Sequence, residues 1–132
     1  HEYWRTVDHT DTSVEFTGNW KPNLKPDKKC FMSSEMVSTT FGDTVTYTFN
    51  GTRARAYGRT GRNLGTFKVY VDGEYLETVR CNYAPRAQEK VFQTPLLPDG
   101  EHTLKLEKVK ADFNGEVYID SFSYESINNS KR

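Results

Sequence analysis

No stretch of this chain approaches the roughly 20 consecutive apolar residues that a membrane-spanning helix needs. Nothing near its start reads as a charged segment followed by an apolar run. Charge of one sign is missing too, since eighteen Lys and Arg balance eighteen Asp and Glu. That balance removes the long-range field by which nucleic-acid and anionic-membrane binders attract their targets, so neither is expected as a partner and a neutral one is favoured. Cysteine is scarce. Cys30 and Cys81 stand far apart, with no CxxC and no nearby His pair, which argues against a zinc site and leaves one disulfide or two free thiols open. Helical patterning is absent, because no segment carries a capped apolar stripe at i, i+3, i+4, i+7. Also absent are GxSxG, HExxH and a Walker-type glycine loop, so no catalytic machinery is signalled and the chain reads as a non-enzyme.

What is present fits one β domain. A length of 132 residues suits a single core. Hydrophobic residues make up 35% of the chain but aromatics reach 14%, so a few large rings must supply most of the buried area. Val45, Tyr47 and Phe49 alternate with Thr44, Thr46 and Thr48, the period of a half-buried strand. Asn50-Gly51 reads as a hairpin turn leading into a partner strand from Arg53 to Tyr57, and Asp72-Gly73 as the turn of a second hairpin. Further strands are expected over 14–20, 31–39, 90–94, 101–109 and 116–124. About eight to ten short strands and no long helix imply an antiparallel β-sandwich or jelly roll. Residues 1–126 form the module and 127–132 a polar tail or linker start, as expected of a piece of a multimodular protein.

Antiparallel strands alternate direction, so every second connection falls at the same end of a sandwich. One end collects the turns at Asn50-Gly51, Asp72-Gly73 and Pro98-Asp99-Gly100 together with the lysine-rich 21–29 segment. The other collects 59–64, 82–88 and 110–115, which mix aromatic, amide and cationic residues and form the candidate binding end. Sugar recognition needs an aromatic face for the C–H side of a pyranose, and fixed planar groups for its hydroxyls. Tyr83 or Phe113 can provide the platform, and Arg62, Asn63, Arg86 and Asn114 the hydrogen bonds. Trp20, Tyr47, Phe49, Phe67 and Phe92 are assigned to the core. The Arg53/Arg55 pair and the lysines of 21–29 read as solvated edge charges.

The segments Val7-Asp8-His9-Thr10-Asp11-Thr12-Ser13, Phe16-Thr17-Gly18-Asn19-Trp20, Val69-Tyr70-Val71-Asp72-Gly73, Leu97-Pro98-Asp99-Gly100-Glu101-His102 and Val117-Tyr118-Ile119-Asp120 occur in order. In that order the chain resembles the galactose-binding-like jelly-roll domains used as carbohydrate-binding modules in bacterial carbohydrate-active enzymes. The resemblance implies a non-catalytic, lectin-like module of a secreted or cell-surface multimodular glycoside hydrolase. Such a module acts as a monomer, binds oligo- or polysaccharide, and is linked to catalytic or anchoring domains. Asp8, Asp11 and Asp120 are candidates for a structural calcium site, the alternative being Asx turns and a buried hydrogen bond. No other cofactor is expected. Asp112 and Glu116 form the one loop carboxylate pair near the proposed site that a glycosidase could use. The competing function is a protein-contact or spacer domain, which predicts a broad apolar patch on a sheet face where glycan binding predicts a small groove.

Overall fold

The computed structural model describes residues 4–23, 34–109 and 115–127. Eleven strands among these residues form two antiparallel sheets. The first sheet contains β1 (Trp4–Asp8), β3 (Lys21–Asn23), β4 (Glu35–Ser38), β6 (Arg53–Thr60), β9 (Arg86–Gln93) and β11 (Val117–Glu125). Its order is β3-β4-β11-β6-β9, with β1 also paired along β11. The second sheet contains β2 (Val14–Thr17), β5 (Thr44–Gly51), β7 (Thr66–Val71), β8 (Glu74–Arg80) and β10 (Gly100–Val109) in the order β2-β5-β10-β7-β8. The expected sandwich is therefore the observed one. Two strands went unexpected for local reasons: β1 lacks a period-2 burial pattern, and β3 is three residues long with Pro22 at its centre.

Alternation builds the core. Val45, Tyr47 and Phe49 of β5 face inward at 0–4% exposure, opposite Ala54 and Ala56 of β6 and beside Leu104 and Leu106 of β10 and Phe67 and Val69 of β7. On β11, Ile119 and Phe122 are three apart yet both fully buried. A strict period of two forbids that, and the register shows the device: Ile119 pairs with Gly58 and Ser121 with Tyr57, so Asp120 is an extra residue in a bulge.

Asn50-Gly51 is not a hairpin turn, contrary to the sequence reading. Strand β5 lies in one sheet and β6 in the other, so the chain crosses the sandwich there. Gly51 serves close approach: a Cβ on it would lie 2.2 Å from the Glu125 carbonyl oxygen, which also accepts a 2.7 Å bond from Thr52 N. Asp72-Gly73 does turn a hairpin, with φ of 52° and 84°, the primed turn that matches strand twist. Nor do Arg53 and Arg55 sit at an edge, because β6 is interior to its sheet. Arg53 makes a bidentate pair with Glu125 at 2.8 and 2.9 Å, and Arg55 donates to Gln93 and lies 3.6 Å from the Trp4 ring centroid.

Candidate functional site

The connections expected at one end do meet there. Gly61 N donates to the Cys81 carbonyl at 2.9 Å, Cys81 N to Gly65 at 3.0 Å, and Gly65 N to Glu116 at 2.8 Å. The 61–65 and 81–85 connections and the Gly115-Glu116 segment are thus tied together through backbone, with Gly65 and Gly115 too close for side chains. The candidate side chains fare differently. Arg62 and Asn63 are exposed, Arg86 opens β9 opposite Thr60, and none of the three lines the groove beside Tyr83. Phe113, Asn114 and Asp112 lie outside the described residues, as do Cys30 and most of 21–29. Glu116 accepts a 3.0 Å bond from the Tyr118 hydroxyl. Tyr83, 62% exposed, is the candidate that stands at a groove.

That groove has a volume of about 330 Å³ and runs between the edge strands β8 and β9, where the open sides of the two sheets face each other. Its apolar floor comes from Val79 and Val91, both half-buried. The walls are polar: Thr78, Glu77 and Arg80 from β8, Glu89 and Lys90 from β9, and Thr60 from the end of β6. Thr60 Oγ1 donates to the Ala84 carbonyl at 2.7 Å and so fixes the connection that carries Tyr83. Next to Glu89, Gln88 has φ of 52°, a conformation that non-glycine residues adopt at local cost. Among its lining residues there is no Ser, Cys or His to serve as nucleophile or imidazole base. The arrangement offers an aromatic face, hydroxyls and both signs of charge over a small area, which suits reversible binding of a hydroxylated ring. Sequence reading found Tyr83 by its loop, but missed the other wall because β8 exposes nearly all its residues and shows no alternation.

The proposed metal ligands separate. Asp11 is drawn into a turn, its carboxylate accepting from Ser13 N at 2.9 Å and Ser13 Oγ at 2.7 Å, which hold its pKa below the ordinary value. Asp8 and Asp120 do converge, and with them His9, which sequence reading passed over: donor atoms of the three lie within 4.8 Å of one another. Asp8 Oδ2 accepts a 2.6 Å bond from Thr10 Oγ1, while the buried Oδ1 lies 3.2 Å from His9 Nδ1 without a hydrogen bond of its own. His9 Nδ1 sits 2.9 Å from the Asp120 carbonyl oxygen, and His9 N donates to the same oxygen. The bulge at Asp120 is what turns this residue toward β1.

Two other ring side chains of the quoted sequence segments, His102 and Trp20, are structural. His102 bonds Asp72 and the Pro98 carbonyl through its two ring nitrogens. Trp20 donates to the Thr44 carbonyl at 2.9 Å and packs edge-on against Phe16.

No family model matches the chain. It is 34% identical over 122 residues to an A type blood alpha-D-galactosamine galactosaminidase from Flavonifractor plautii, covering 92% of this chain and 11% of that protein. It is 33% identical over 118 residues to an A type blood N-acetyl-alpha-D-galactosamine deacetylase of the same organism, covering 89% and 14%. The chain thus spans a small fraction of the curated relatives it matches. Among solved structures, the CBM36-1 domain of a multidomain xylanase from the hindgut metagenome of Trinervitermes trinervoides superposes with a TM-score of 0.62 at 14% identity, over 92% of this chain and 95% of that one. The chain therefore shares its antiparallel sandwich fold with that CBM36-1 domain.

Proposed function

We propose that this chain is a non-catalytic carbohydrate-binding module of a larger secreted or cell-surface protein, holding a linked catalytic domain near its glycan. The observation that carries this reading is the groove between β8 and β9, where the exposed Tyr83 ring stands beside converging hydroxyl, carboxylate and cationic groups. Its size suits one or two sugar rings. Both curated relatives are named for galactosamine derivatives of A type blood, which makes glycans ending in N-acetyl-α-D-galactosamine or α-D-galactosamine the first ligands to test. Even millimolar affinity, about 4 kcal/mol, is useful when a linked enzyme is the beneficiary. The test is a glycan array probed with the wild-type domain and with Tyr83→Ala. A signal lost in the variant with the fold intact supports the reading. Silence across neutral, acidic and blood-group glycans overturns it in favour of a protein-contact or spacer domain.

A structural calcium ion forms a second part of the proposal, with Asp8 and Asp120 as ligands and without Asp11. Support comes from two carboxylates converging beside a buried oxygen that accepts no hydrogen bond, a set that favours a cation. The ion's part would be to clamp β1 onto β11. Melting in EDTA and in millimolar calcium tests it: the expected result is a rise in Tm with calcium that Asp8→Asn abolishes, and identical curves remove the ion.

A further inference from the structure

A second cleft, of about 260 Å³, opens on the opposite side of the sandwich from Tyr83, where β1 and β11 face β5 beyond the point at which β2 stops covering it. Its floor is formed by Tyr47 and Phe49, its wall by Tyr124, and its rim by Asp11, Ser13 and Asn50. Tyr47 is the informative residue. Its ring is 1% exposed and stacks on Phe49 at 5.5 Å and Phe122 at 4.8 Å, an environment that phenylalanine would satisfy equally well. Among the described residues none hydrogen-bonds its hydroxyl, and the buried polar atoms without a partner are Asp8 Oδ1 and Asp120 Oδ1, so this hydroxyl opens to the cleft, where water or a ligand can meet it. Burial, with Tyr124 and Asp11 nearby, pushes that phenol's pKa up, so it stays an uncharged donor and acceptor.

From this geometry we infer that the cleft is a second saccharide subsite, in which the Tyr47 hydroxyl bonds a ring hydroxyl of a neutral sugar lying against Tyr124. The inference rests on the carbohydrate reading of the fold but on none of the residues of the β8–β9 groove. An uncharged ligand fits the site, because Asp11, its one charged rim residue, is already engaged by Ser13. A single ring fits its volume. Two sites on opposite edges of the sandwich would let one module bridge two glycan chains, where neighbouring sites would grip one chain more tightly.

The test is an NMR titration of the wild type, Tyr47→Phe and Tyr83→Ala with N-acetylgalactosamine, galactose and glucose, each to about 50 mM, a ceiling set by the weak affinities useful in such modules. Amide signals of Ser13, Asn50 and Tyr124 report the new cleft, and those of Thr78, Tyr83 and Glu89 the groove. The expected result is saturable shifts at the cleft in Tyr83→Ala, weakened roughly tenfold in Tyr47→Phe, the size of one hydrogen bond. Tyr47→Phe should melt no lower than the wild type, since no intramolecular bond is lost. Shifts confined to the groove overturn the second subsite and leave the binding function standing. Absence of shifts at both places overturns the subsite, with the array separately deciding the broader reading. Cleft shifts unchanged by Tyr47→Phe also overturn the role assigned to the hydroxyl.

Discussion

His102 bonds two acceptors at once: Nδ1 lies 2.7 Å from Asp72 Oδ2 and Nε2 lies 2.6 Å from the Pro98 carbonyl oxygen. A neutral imidazole has one N–H and can serve only one of them, so the charged form is favoured. The Pro98 carbonyl, with Asp72 and Asp99 adding to it, holds the pKa above the ordinary imidazole value. Because the folded value exceeds the unfolded one, this contribution to stability is complete below about pH 6.5 and is lost as pH rises through the folded value. The expected outcome is that the wild type's margin in Tm over His102→Gln narrows steadily from pH 5.5 to pH 9. A margin that does not change with pH would show that His102 acts through shape alone. In the sequence His102 stands just after the Pro98-Asp99-Gly100 turn, but its partner Asp72, thirty residues earlier in another turn, was not legible there.

Strands β8 and β9 are the elements on which the proposed function depends, and both are sheet edges. Edge strands that alternate cleanly invite pairing with other chains, and these two interrupt it with charge and irregularity. Glu74, Glu77 and Arg80 stand on β8, while Gln88 at positive φ breaks the regularity of β9, where pairing with β6 slips between Gly58 and Thr60. The strain at Gln88 makes a checkable prediction. Gln88→Gly should be neutral to stabilising by roughly 0.5 kcal/mol, the relief of a left-handed conformation set against glycine's greater chain entropy. Gln88→Val should cost about 2 kcal/mol, because a β-branched residue tolerates that conformation poorly. Urea unfolding compares the three proteins, and a valine variant as stable as the wild type would show that β9 straightens at no cost. Legibility at this scale tracks burial. Strand β5 was readable because one face is buried and the other wet, whereas β8, exposed on nearly every residue, left no such trace.

For the whole molecule, Cys81 reports on integrity. It is 1% exposed in the core beneath the gathered connections, and burial raises its thiol pKa to about 12. In a Cys30→Ser protein the remaining thiol should resist a thiol reagent at pH 8 and react at full speed once denaturant unfolds the domain. Rapid labelling of the native protein would mean that the 61–65 and 81–85 connections open readily, and that the end they form is mobile.

Composition and period by themselves determined the class of this protein. An all-β sandwich follows from period-2 alternation in β5, β7 and β10, from turn spacing and from the absence of a helical stripe, since a strand's two faces are written every second residue. The grouping of connections followed from strand direction. Only the tertiary structure decided which sheet each strand joined, because Asn50-Gly51 reads locally as a turn and acts as a crossing for reasons that reside in Glu125, far away in sequence. It also decided which loop residues adjoin a groove, and that His9 replaces Asp11 beside Asp8 and Asp120. A binding site is a coincidence of surfaces from distant strands, and neither period nor composition records which side chains will share it.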